Sequence, residues 1–89
     1  MIRLETRIIN RLGLHARAAA KLVRLANEFN SNIRVLRAGQ SANAKTIMDV
    51  LMLGAALNDD LTVETEGDDE EGAAKSLIRL IESRFEELE

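Results

Sequence analysis

Three features of the sequence predict an α+β domain in which helices cover one face of an antiparallel sheet. The strand-like stretches alternate apolar and polar residues, the helix-like stretches carry an apolar stripe at spacings of three and four, and the order is strand, helix, strand, strand, helix, strand, helix. Strands that are apolar on one side only belong to a sheet with one wet face, which is an antiparallel feature, since parallel sheets are covered on both sides. With 89 residues, the chain has room for one core, so 1–89 is read as a single domain.

Residues 2–9 form the first strand, with Ile2, Leu4, Thr6 and Ile8 facing in and Arg3, Glu5 and Arg7 facing out. From Ala16 to about Phe29, the residues Ala18, Ala19, Leu22, Leu25, Ala26 and Phe29 trace an amphipathic helix that Asn30-Ser31-Asn32 ends. Residues 33–37 are again a strand, Ala38-Gly39 is a turn, and 40–43 return as a hairpin. Thr46–Leu53 is a short helix closed by Gly54, and Leu61–Glu66 alternates as the last strand. Ala74, Leu77, Ile78, Ile81 and Phe85 trace a final helix. The acidic run Asp68–Glu71 lies at its start, where the helix dipole favours negative charge.

Composition narrows the possible functions. A net charge of −3 and only two aromatic residues, Phe29 and Phe85, argue against a nucleic-acid binder, which needs concentrated positive charge or stacking platforms. The absence of cysteine fits a reducing compartment, and the N-terminus lacks the basic start and apolar block of a signal peptide, so a cytoplasmic protein is expected. No apolar run approaches the roughly 20 residues that cross a bilayer, so no membrane insertion is expected. One histidine with no cysteine supplies neither a metal cluster nor a catalytic triad, so no cofactor, no metal and no self-sufficient enzyme is expected.

The segment Gly13-Leu14-His15-Ala16-Arg17 puts that single histidine where the first helix begins. The first N–H groups of a helix lack partners and carry partial positive charge, so the backbone of His15, Ala16 and Arg17 can receive an anion. Gly13 permits a tight turn, and the planar fork of Arg17 suits phosphate oxygens. Positive surroundings disfavour imidazolium, which leaves a ring nitrogen of His15 free to attack phosphorus.

This segment resembles the active-site signature of the HPr family, phosphocarriers of the bacterial sugar phosphotransferase system. A second stretch, Ser41-Ala42-Asn43-Ala44-Lys45-Thr46-Ile47-Met48 followed by Leu53-Gly54, is similar to that family's second signature at its usual distance. The resemblance spans essentially the whole chain and implies an open-faced sandwich of four antiparallel strands and three helices (βαββαβα). It also implies His15 as the residue phosphorylated by enzyme I, Arg17 as its phosphate partner, IIA-type proteins as acceptors, and action as a monomer.

The chain departs from the family pattern at Ala18 and at the pair Thr46 and Asp49, the latter standing where glycine or lysine is typical. Ala18 stands where proline is usual; proline suits a first helical turn, but alanine is a good helix former, so the chemistry is expected to persist. Thr46 stands where some members carry a serine phosphorylated by a regulatory HPr kinase/phosphorylase. Thr46-Ile47-Met48-Asp49 also fits a helix-capping pattern, with the hydroxyl on a free N–H, and that capping role is preferred over a phosphorylation switch.

Ile47, Met48, Val50, Leu51, Met52 and Leu53 make the second helix apolar almost all round, which leaves two assignments open: Met48, Leu51 and Met52 form an exposed partner-binding stripe, or all of these residues are core or cover other residues. Arg17, Lys21 and Arg24 line one side of the first helix below His15 and would steer an acidic partner. With Thr46 and Ile47 these residues form the expected partner face. The competing reading is a regulatory interaction module of the same fold without chemistry, against which His15 and Arg17 argue.

Overall fold

A computed structural model describes residues 1–87. The elements are β1 (Ile2–Arg7), α1 (Ala16–Ala26), β2 (Asn32–Arg37), β3 (Gln40–Asn43), α2 (Ile47–Met52), β4 (Asp60–Glu66) and α3 (Glu70–Glu82), and a tight turn at Arg84–Glu86 follows. All strand pairs are antiparallel, in the order β1-β4-β2-β3. This is the expected four-stranded sheet with three helices.

The register explains the one-sided pattern. Ile2, Thr65 and Ile33 share one row and Leu4, Val63, Val35 and Ala42 the next, all turned to the helices. Ile33, Val35, Val63 and Leu61 are buried there with Leu22 of α1, Val50 of α2 and Leu77 and Ile81 of α3. Leu4 remains partly exposed because β1 is an edge strand. On the open face, Arg3, Glu64, Arg34 and Asn43 form a row. Glu64 is buried there between two arginines, in contact with Arg3 and 3.0 Å from Arg34. A buried carboxylate needs such pairing to offset its lost hydration.

Several element ends differ from the sequence expectation: α2 spans Ile47–Met52 rather than Thr46–Leu53, β4 starts at Asp60 rather than Leu61, and larger changes occur at β1, α1 and α3. β1 stops at Arg7, and Ile8 and Asn58 continue by loop-to-loop bonding. α1 ends at Ala26, where Asn27 caps it by donating its side-chain amide to the Val23 carbonyl at 2.8 Å, and Asn32 already belongs to β2. α3 ends at Glu82, so Phe85 is not on it. Arg84, Phe85 and Glu86 have φ of 60°, 53° and 64°, a left-handed run that L-residues avoid. Full burial of Phe85 and a 2.8 Å bond from the Lys21 ammonium to its carbonyl offset that strain.

The acidic start of α3 stands as expected, with Glu70 and Glu71 in its first turn. Asp69 caps the preceding segment rather than its own helix: its carboxylate accepts from the N–H groups of Asn30 and Ser31 at 2.8 and 2.9 Å. The turn between α1 and β2 is thereby fastened to α3.

Candidate functional site

The site begins at the loop between β1 and α1. Gly13 has φ +68°, and a Cβ there would lie 2.7 Å from the Ala55 carbonyl oxygen and 2.8 Å from Ala56 Cα. Only glycine permits that approach. It is closed by a 2.9 Å bond from Leu14 N–H to the Ala55 carbonyl and a 2.8 Å bond from the Asn10 side-chain amide to the Gly13 carbonyl.

His15 is the N-cap of α1, with extended backbone (φ −77°, ψ −179°), and its carbonyl accepts the first helical bond from Ala19 at 2.8 Å. Its Nδ1 accepts the Arg17 N–H at 3.3 Å, so the imidazole takes the place a serine or aspartate side chain fills at other helix starts. Ala16 and Arg17, the first two helical residues, are exposed, and Ala18 is fully buried behind them. The side chain of Arg17 makes no ion pair among the described residues.

The surroundings of His15 are not solely positive, as the sequence suggested. Its Nε2 contacts the Glu87 carboxylate, whose other oxygen accepts from the Asn10 side-chain amide at 3.0 Å. Burial pushes the Glu87 carboxyl up, but hydrogen bonds from His15 and Asn10 and the nearby Lys21 charge more than offset this, and the net displacement is downward. Asn10 and Glu87 were not anticipated. Glu87 lies 72 residues from His15 in the chain, beyond the reach of any local pattern.

The proposed partner residues are divided by the structure. Ile47 (39% exposed), Met48 (61%) and Met52 (76%) face outward, whereas Val50 and Leu53 enter the core. Leu51, expected in the exposed stripe, is half-buried against the core. Arg24 is exposed, but the Lys21 ammonium is held by the Phe85 carbonyl and lies 3.7 Å from Glu86. Leu12 and Leu57 add exposed apolar surface on the two loops that meet at Gly13.

The Thr46 hydroxyl does not cap α2, contrary to expectation: Thr46 is the N-cap residue but its side chain makes no capping bond. The Asp49 carboxylate reaches instead to the Asn43 N–H at 3.3 Å, and the Asn43 side chain takes the Lys45 N–H at 2.9 Å. Asn43 thus organises the turn, and the hydroxyl stays at the surface.

Among the described residues, no cluster of three or more His, Asp or Glu could hold a metal ion, and no helix is long and apolar enough to cross a membrane. What remains is a one-sided α+β sandwich with a partly exposed imidazole at a helix N-terminus, a class of small protein suited to holding an anionic group on a ring nitrogen. The family described as "PTS HPr component phosphorylation site" matches residues 2–83. The phosphocarrier protein HPr of Cupriavidus necator is 48% identical over 87 residues, 98% of each chain. HPr of Thermoanaerobacter tengcongensis superposes with a TM-score of 0.94 at 44% identity, covering 98% of both chains. A second structure from that organism, an HPr dimer, gives 0.78 at the same identity, covering 98% of this chain and all of the other. The chain belongs to the HPr family of phosphocarrier proteins of the phosphotransferase system.

Proposed function

We propose that this chain accepts a phosphoryl group from phospho-enzyme I on Nδ1 of His15 and delivers it to IIA-type acceptors in the cytoplasm. The observation that carries this reading is the hydrogen bond to Nδ1 from the Arg17 N–H. A nitrogen that accepts a hydrogen bond carries no proton of its own, and its lone pair here points at a helix N-terminus; when the Arg17 N–H turns from Nδ1 to the oxygens of an arriving phosphoryl group, that lone pair is released to attack phosphorus. Nδ1 forms the new N–P bond while the bond from phosphorus to the donor breaks. The N–H groups of Ala16 and Arg17 and the exposed Arg17 guanidinium then balance the charge on the phosphoryl oxygens. Ile47, Met48 and Met52 offer the apolar part of a partner face beside the charges of Arg17 and Arg24.

Incubation with enzyme I and phosphoenolpyruvate tests the reading. We expect one acid-labile, alkali-stable phosphoryl group per chain, none on His15→Ala, and slower transfer in both directions with Arg17→Ala. Phosphorylation of His15→Ala by enzyme I would overturn the assignment. Because a related HPr is known as a dimer, sedimentation accompanies the assay, with a single species at the monomer mass as the expected result.

A further inference from the structure

We propose that the groove between β3 and α2 receives a basic side chain of enzyme I, with Asp49 as the residue that recognises it. The inference rests on the carrier function proposed above and deepens it by giving the donor's contact surface a definite charge.

The groove holds about 360 Å³ and is lined by Gln40, Ser41, Asp49, Met52 and Leu53. Met52 and Leu53 stand three and four residues beyond Asp49, so the three side chains group on one flank of α2. Buried Leu53 makes an apolar floor and exposed Met52 an apolar wall. Gln40 and Ser41 belong to β3, an edge strand, and both are exposed; each side chain offers an acceptor oxygen. Asp49 is the one charged residue of the lining.

That charge is not neutralised within the described residues. Asp49 makes no ion pair among them, and its carboxylate accepts only the Asn43 N–H, at 3.3 Å. The basic side chains of adjoining segments are engaged elsewhere. Arg37 of β2 bonds Asp59 at 2.8 Å and the Leu53 carbonyl at 3.1 Å, and Lys45 bonds the Phe29 carbonyl at 2.7 Å. An exposed carboxylate beside an apolar wall and two further acceptors complements a lysine or arginine. The aliphatic stem lies along Met52, and the charged head reaches Asp49, Gln40 and Ser41.

Asp49 also gives the partner face two signs. Exposed Arg17 and Arg24 place positive charge on α1, which packs against α2, and α2 adds exposed Ile47 and Met48 and the negative charge of Asp49. A partner matched to both signs docks in one orientation, and a partner acidic throughout is repelled by Asp49. The donor is the partner that must meet this pattern, because every transfer passes through it, whereas an acceptor is met only after loading. Asp49 thus determines specificity without touching the phosphoryl group.

The test measures transfer from phospho-enzyme I to the full chain and to three variants. Asp49→Asn keeps an oxygen for the Asn43 N–H and removes the charge; Asp49→Lys reverses it. Glu66→Lys makes the same reversal at an exposed position on the open face of the sheet. The KM for the carrier should rise about threefold with Asp49→Asn and about tenfold with Asp49→Lys, with kcat nearly unchanged. Added salt should shrink both differences, and Glu66→Lys should match the parent. Melting temperatures control for folding; if Asp49→Lys does not fold, Asp49→Asn alone decides. Unchanged KM in the Asp49 variants, a lower KM in Asp49→Lys, or a fall in kcat alone would overturn the proposal. An equal rise in Glu66→Lys would overturn it in favour of overall charge, and normal loading with impaired delivery to a IIA acceptor would overturn it in favour of the acceptor. In each of these cases the parent still accepts phosphate and the carrier reading stands. Failure of the parent chain to accept phosphate would instead defeat the carrier reading and the role of Asp49 with it.

Discussion

Gly13 determines where His15 stands. Its positive φ and the backbone of Ala55 and Ala56 in its path leave no room for a side chain, so any substitution must move either the loop or the start of α1. Gly13→Ala is expected to cost about 1–3 kcal/mol in urea unfolding and to slow phosphate acceptance by the protein that still folds. Normal stability together with normal transfer would show that the loop relaxes freely and that the turn does not position the histidine. At this scale the sequence was informative where chemistry is local: a glycine, a lone histidine and an arginine within five residues mark the start of α1 as an anion site. It was silent on Glu87 and Asn10, because their link to His15 exists only once the C-terminal turn has folded back. It placed Thr46 correctly as the N-cap residue of α2 but misassigned its hydroxyl, because a capping pattern states which bonds are available and not which form; the hydroxyl makes no capping bond, and the Asn43 and Asp49 side chains bond the turn before the helix.

At the level of elements, periodicity identified every strand and helix and misplaced some of their ends. Ile81 and Phe85 keep the helical spacing of four and are both fully buried, yet the backbone between them leaves the helix, because hydrophobic spacing records burial rather than φ. For α2 the sequence left two assignments open, since a helix that is apolar all round does not say which side meets the sheet. The structure turns Val50 and Leu53 inward and Met48 and Met52 outward. Replacing both methionines by alanine should therefore leave the melting temperature nearly unchanged and weaken enzyme I binding by about 1–3 kcal/mol, the range of a modest hot spot. Buried methionines would instead lose about 2–5 kcal/mol of stability each on truncation. Calorimetric melting and an enzyme I titration of the double variant distinguish these cases. A large fall in melting temperature with normal affinity would remove α2 from the partner face.

Across the whole molecule, carboxylates join segments that the sheet leaves loose, and this makes stability sensitive to acid. Asp59 accepts from the Ala56 N–H and from Arg37 of β2, tying the loop before β4 to the sheet. Asp69 fastens the turn after α1 to α3 through the Ser31 hydroxyl and the Asn30 N–H, and Glu70 joins the Gly67 N–H to the N-terminal ammonium beside β1. Each of the three is held below the ordinary carboxylate range, and in each the hydrogen bonds just named outweigh the opposing effect of burial. A carboxyl with a depressed folded pKa binds protons more readily in the unfolded chain, so its contribution is fully present above its unfolded value and is lost as pH falls through the folded one. The melting temperature should therefore hold level from neutral pH to about pH 5 and decline below it. Asp69→Asn isolates one such tether, since the amide keeps an acceptor oxygen but no longer titrates. That variant should melt lower than the parent at neutral pH and lose less on acidification, so that the two curves converge as pH falls. Parallel curves would mean that Asp69 contributes nothing through its charge, and that the acid sensitivity originates in the other carboxylates.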